Sequence, residues 1–152
     1  MVEKIIECTN ELIFTKKELE EILRKGAHML DQILLIIGKR TEEARKKLRV
    51  GEEIKFKNRY ICFTISDVAV DVSPGSDFKR SIDPDYFKLV EDELLVERFF
   101  LAYFFIKSIN EIVRILKEKI EFYRSAKKEI AEVLEKIEEV LSPIVIAEEL
   151  GK

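Results

Sequence analysis

The chain has 152 residues, of which 47% are hydrophobic and 38% charged, with five Gly, three Pro and a net charge of −3. This length suits one ordinary domain with its own core, and the apolar content excludes intrinsic disorder. One His (His28) and two Cys form no multi-His or Cys/His cluster, and P-loop, GxGxxG and catalytic-triad motifs are missing. The sequence therefore predicts a non-enzymatic protein without catalytic residues, metal, cofactor or small-molecule substrate.

The same composition bears on where the protein works. The longest charge-free apolar runs, residues 33–37 and 99–106, fall far short of the roughly 18 to 20 residues of a membrane helix. We therefore expect a cytoplasmic protein that binds no membrane. One Gln and three Asn stand against abundant Glu, Lys and Ile. This bias is typical of hyperthermophile proteins, so we expect an archaeal source, and a mobile element would fit the composition.

In chain order, residues 1–50 are expected to be helical. Apolar residues between positions 2 and 13 have helical spacing, and Thr15 with Glu18 forms a capping box that predicts a new helix start. That helix is expected to stop at Gly38. Thr41, followed by two Glu residues, then predicts a short basic helix that ends before Gly51.

Between residues 52 and 73 the apolar period changes from 3.6 to 2. The alternating apolar residues are Ile54, Phe56, Ile61, Phe63, Ile65, Val68, Val70 and Val72. With turn residues at 57–58 and 66–67, this pattern predicts a three-stranded antiparallel β-meander. The following Ser-Pro-Gly-Ser of residues 73–76 predicts a type II turn.

The C-terminal part is expected to be one long helical segment over residues 84–142. Asp83 and Pro84 form a helix start signal, no Gly or Pro interrupts residues 85–142, and Pro143 is expected to end the helix. Ser108 and Glu111 have capping-box spacing, so the segment is either continuous or broken near residue 108. The fold class is therefore a predominantly helical α+β protein, read as a single domain over residues 1–152.

A heptad repeat runs through this segment in a single register, and its a and d positions are apolar except Lys127. The repeat packs either against residues 15–37 of the same chain or against another copy. Because it is about twice as long as that internal partner, we favour a homodimer or higher homo-oligomer. The predicted interface consists of Leu95, Phe99, Ala102, Ile106, Ile109, Val113, Leu116, Ile120, Tyr123, Ile130, Leu134, Ile137 and Leu141. Ile144 is the next d position.

Charge is distributed unevenly along the chain. Residues 24–59 carry eleven Lys/Arg against five acids, a net charge of +6 in an acidic protein. Such a block either binds nucleic-acid phosphates or pairs with an acidic helix of the same or a neighbouring chain. The candidate nucleic-acid-binding residues are Lys39, Arg40, Arg45, Lys46, Lys47, Arg49, Lys55, Lys57 and Arg59.

An acidic group over residues 83–97 is a weaker feature. A divalent metal site would use its carboxylates, among which Glu93 and Glu97 share a helix face. Helix N-terminal electrostatics and ion pairs with Arg98 and Lys88 explain the same residues, so no metal is predicted. The sequence thus predicts a self-associating protein that acts in assembly or protein–protein interaction. A nucleic-acid-binding accessory protein is the alternative.

Overall fold

The N-terminal part of the chain forms one long helix rather than two. In the computed structural model, which describes residues 1–151, helix α1 runs over Val2–Arg40. Thr15 lies inside it, and its hydroxyl donates to the Glu11 carbonyl at 2.7 Å, so the predicted helix start at Thr15 is wrong. Because no Gly or Pro interrupts residues 2–25, propagation of the existing helix is favoured over a new nucleus. A short helix α2, Glu42–Arg45, follows.

The predicted β-meander is confirmed. Strands β1 (Glu53–Lys57), β2 (Ile61–Ser66) and β3 (Val70–Pro74) form one antiparallel sheet in the order β1-β2-β3. Phe56, Phe63 and Val72 lie opposite one another in a cross-strand row, and all three are buried. This face of the sheet therefore contributes to the core, as the period-2 pattern predicts.

The loop after β3 differs from the predicted type II turn. Such a turn needs a positive φ at its third residue, but within residues 1–151 only Gly51 has one. Gly75 instead donates its amide to the Tyr60 carbonyl at 2.9 Å. A Cβ at this position would lie 2.6 Å from the carbonyl oxygen of Arg59, so glycine is required here for close backbone approach.

The segment between the sheet and the last helix contains two 3₁₀ turns, Lys79–Ser81 and Pro84–Lys88. Asp83 caps the second by accepting from the Asp85 amide at 2.9 Å. The long helix expected from residue 84 begins only at Glu93, where the Asp92 carboxylate accepts from the Leu94 amide at 3.1 Å. The sequence therefore contains two Asp caps, Asp83 and Asp92, and the long helix begins after the second one.

Helix α3 runs over Glu93–Leu150 with no break at residue 108. The Ser108 hydroxyl is buried and accepts a hydrogen bond from the Asn58 side chain at 2.9 Å, so it serves a tertiary contact instead of a cap. The prediction that Pro143 ends the helix is wrong, because Pro143 lies inside it. Proline removes one backbone hydrogen bond, but the helix continues beyond it to Leu150.

The chain divides into two compact units, Met1–Ile109 and Asn110–Lys152. The core of the first unit is aromatic. The Phe104 ring stacks on the Tyr60 ring with 4.8 Å between ring centroids, and it packs edge-to-face with the Phe78 ring at a centroid distance of 5.8 Å. The Phe63 ring of the sheet packs against the Phe105 ring of α3 with 5.5 Å between ring centroids. The described part of the second unit consists of α3 residues 110–150 and Gly151. With 72% of residues helical and a small antiparallel sheet, the predicted fold class is confirmed.

Candidate interaction surfaces

The first predicted interface residues lie in the core of the first unit. Leu95 and Phe99 are half-buried and pack against a cluster formed by Leu23, Val90 and Val96. Ala102, the next d position, is also buried. Ala102 is thus covered by its own unit, and Leu95 and Phe99 are partly covered by it, as the intramolecular alternative expects. The exposed part of the heptad begins after these three residues.

Within the first unit, helix α3 uses a different face for its contact with the sheet. Leu101, Phe105 and Ser108 follow one another at helical spacing and are all buried. Ile106 and Ile109, at a and d positions, are 59% and 39% exposed on the adjacent face. The heptad seam and the core-facing surface of α3 are therefore distinct over these residues.

The second unit carries a largely exposed apolar stripe, which we call the C-terminal stripe. Its residues are Val113, Leu116, Ile120, Tyr123, Ile130, Leu134, Ile137, Leu141 and Ile144. Leu116 is half-buried, and the others have exposed fractions between 42% (Val113) and 69% (Tyr123). Lys127 is the single polar residue at an a or d position within it. Apolar stripes of this length are rarely left exposed by monomeric proteins.

Polar residues on other faces of the same helix form local ion pairs. Arg114 lies 2.8 Å from Glu118, and Arg124 lies 2.8 Å from Glu121. Exposed pairs of this kind contribute well under about 1 kcal/mol each. With these pairs formed, most residues of the stripe remain exposed.

The N-terminal part of α1 presents a second exposed apolar set that the sequence reasoning did not propose as a surface. Val2, Ile5, Ile6, Leu12 and Ile13 share one helix face, and each is more than half exposed. Their helical spacing was visible in the sequence. Because a helix break was expected at residue 15, these residues were not connected with the rest of α1. In the continuous helix they lie on the same face as the buried Leu23 and Leu30.

The basic block of residues 24–59 includes one arginine with a structural role. Arg45 donates to the Gly38 carbonyl at 2.7 Å and to the Thr41 hydroxyl at 3.0 Å. The same guanidinium reaches the carbonyls of Ser66 and Asp67 in the β2–β3 turn, both at 3.4 Å. Arg45 thus joins the end of α1 to the sheet, and this use differs from phosphate binding.

Other residues of the block also have internal partners. Arg59 donates to the Asp77 carboxylate at 2.9 Å, and this bond raises the pKa of Arg59 above its ordinary value. Lys46 lies 3.9 Å from Glu43. The side chains of Lys39, Arg40, Lys47, Arg49, Lys55 and Lys57 are exposed. They are spread over the end of α1, the following loop and β1.

The acidic group of residues 83–97 is partnered differently from the expectation. Arg98 pairs with Asp31 of α1 rather than with Glu93 or Glu97, and Lys88 pairs with Asp85 at 3.9 Å. The predicted ion pairs were based on spacing along one helix. Residues 84–88 instead form a 3₁₀ turn before α3, so helical spacing does not extend to Lys88.

Among residues 1–151, no group of three or more His, Cys, Asp or Glu side chains is placed to hold a metal ion. No helix in that range combines the length and apolar character that a membrane span requires. No protein-family model, curated protein or solved structure matches the chain.

Proposed function

We propose that this chain is a non-enzymatic, self-associating protein that acts in assembly or protein–protein interaction through its C-terminal stripe. The observation that carries the proposal is the exposure of eight apolar side chains at a and d positions over residues 113–144, with Leu116 half-buried among them. Knobs-into-holes packing against a second helix is the arrangement that this spacing favours.

The energy available to such an interface supports the proposal. Fully burying a Leu or Ile side chain contributes about 1.5–3 kcal/mol, so covering a half-exposed one contributes about 1 kcal/mol. Eight such residues in each of two copies give a gross gain of about 16 kcal/mol, which is of the same order as the association cost of about 4–15 kcal/mol before side-chain ordering. Apolar contact along the stripe would thus supply a large part of the energy that pairing of two copies requires.

The test compares the wild-type chain with a Leu134→Glu/Ile137→Glu double variant by sedimentation velocity over a micromolar concentration series. These side chains are 51% and 47% exposed. A dimer of the variant lacks four of these apolar side chains, two in each copy. At about 1 kcal/mol each, the dimer loses about 4 kcal/mol of binding energy, which raises its dissociation constant about 1,000-fold. We expect the wild type to sediment as a dimer or larger assembly and the variant as a monomer.

A matched control separates the stripe from general apolar character. Phe122 and Ile146 are 71% and 54% exposed but lie outside the a and d positions. The Phe122→Glu/Ile146→Glu variant makes the same chemical change and should keep the wild-type assembly. A wild type that remains monomeric at every concentration contradicts the proposal, as does equal loss of assembly in both variants.

A further inference from the structure

The charge of the second unit changes sign along its length. Residues 110–128 carry six Lys/Arg against three Glu, a net charge of +3. Residues 129–151 carry seven Glu against one Lys, a net charge of −6. The change falls close to Lys127, the one polar residue among the a and d positions of the stripe. A second copy of this helix therefore complements the first when it runs in the opposite direction.

A parallel pair of these helices would place like charges together. In a parallel pair each a residue faces the same residue of the other copy, so Lys127 would face Lys127 in the seam. The flanking Lys119 (g) would lie beside Arg124 (e) of the second copy, at the spacing where g and e residues meet. Both contacts oppose association.

An antiparallel pair removes these conflicts in one register. With the centre between residues 128 and 129, Ile120 of one copy faces Ile137 of the other, and Lys127 faces Ile130. The flanking Lys117 then lies beside Glu138 of the second copy. The remaining layers pair Val113 with Ile144, Leu116 with Leu141, and Tyr123 with Leu134. This register covers the whole C-terminal stripe.

We infer that two copies of the chain pair antiparallel along the C-terminal stripe, with Lys117 of each copy beside Glu138 of the other. The inference rests on the proposed self-association and names its partner and direction. Lys127 acts in it as a direction-setting residue. It is tolerated opposite Ile130, where its aliphatic stem packs, but it would repel itself in a parallel pair.

Spin-label distances test the direction. Ser125 and Glu139 are exposed and both lie at the f position, away from the seam. Each is replaced in turn by a labelled cysteine in a Cys8→Ser/Cys62→Ala background, since both native cysteines are free. At 1.5 Å per residue the antiparallel register separates the two labels axially by about 10 Å at position 125 and about 32 Å at position 139. A parallel pair gives the same distance at both positions.

Charge exchange tests the named contact. We expect Lys117→Glu and Glu138→Lys each to weaken association about tenfold, because two ion pairs become like-charge pairs. The Lys117→Glu/Glu138→Lys double variant should return to within about twofold of the wild type. Lys128→Glu is the control, because it makes the same charge change at a b position. An equal effect of that control, or no recovery in the double variant, overturns the Lys117–Glu138 contact.

The two proposals fail in different ways. A wild-type chain that sediments as a monomer removes the self-association and the antiparallel pairing with it. An assembled wild type whose labels give equal distances at positions 125 and 139 leaves the self-association intact and overturns the antiparallel direction alone.

Discussion

The contact between α1 and α3 at Gly26 offers a quantitative test of the fold. A Cβ at Gly26 would lie 2.5 Å from Cδ2 and 2.7 Å from Cε2 of Phe99. Ordinary carbon–carbon contacts lie near 3.5–4.0 Å, so Gly26→Ala displaces the ring by about 1 Å. Overpacking of this kind costs about 1–3 kcal/mol, whereas alanine gains about 1 kcal/mol of helix propensity. We expect a net loss of about 1 kcal/mol in the free energy of unfolding.

Gly38 of the same helix provides the matched control. A Cβ there would meet only Arg45 Nη2 at 3.8 Å, an ordinary contact. Gly38→Ala should therefore gain about 0.5–1 kcal/mol from propensity alone, because no clash opposes it. The two variants are compared by chemical denaturation followed by circular dichroism, and they should differ by about 2 kcal/mol.

A third variant identifies the cause of the difference. Phe99→Leu removes the ring, so Gly26→Ala in that background should cost less than it does in the wild type, and the double-mutant cycle should show coupling of at least about 0.5 kcal/mol. If Gly26→Ala proves as stable as Gly38→Ala, the close approach of α1 to Phe99 is refuted.

Two further predictions concern the basic block. Arg45→Met should lower the free energy of unfolding by about 2 kcal/mol, as measured by chemical denaturation. The substitution keeps an aliphatic side chain but removes the charged hydrogen bonds to the Gly38 carbonyl and the Thr41 hydroxyl. An unchanged stability would contradict the structural role of this arginine. Lys46→Ala/Lys47→Ala should change stability by less than about 0.5 kcal/mol, since both side chains are exposed. The double variant therefore tests the alternative nucleic-acid function by gel retardation. Salt-sensitive retardation by the wild type that the double variant weakens would support that function. Absence of retardation by the wild type even at low salt would rule it out.

Local patterns in the sequence were sufficient to predict the β-sheet. Phe56, Phe63 and Val72 alternate with polar residues in their strands, and the structure buries all three in one row. Asn58 was readable as a turn residue. Its carboxamide oxygen accepts from the amides of Tyr60 and Ile61, both at 2.9 Å. Alternation and turn chemistry act over a few residues, so they can be read without tertiary information.

Helix boundaries were predicted less well because capping signals compete with propagation. Thr15 and Ser108 both occupy capping-box positions, yet both lie within continuous helices. A cap satisfies one or two amides, whereas an uninterrupted helix keeps a backbone bond at every residue. The use of Ser108 also depends on Asn58, fifty positions away. A hydrogen bond between a turn and a helix so far apart in the sequence cannot be predicted from local residue spacing.

The candidate surface was predictable in its residues but not in its limits. The heptad identified the C-terminal stripe directly. It also included Leu95, Phe99 and Ala102, which the first unit covers. Which heptad residues are covered depends on how α1 and the 3₁₀ turns fold against α3. Tertiary packing of this kind decides the exposure of a helix face, and a periodic pattern is the same whether the face is covered or open.

The separation of two faces on α3 supports an external function for its heptad. Leu101 is buried and Phe105 contacts Phe63 of the sheet, while Ile106 and Ile109 continue the a and d positions on an exposed face. The same period continues through the C-terminal stripe, where eight of its nine residues are at least 42% exposed. From Ile106 onward the heptad continues on exposed positions, and this continuation is the basis for proposing contact with a second copy, whose antiparallel direction matches the charge reversal near Lys127.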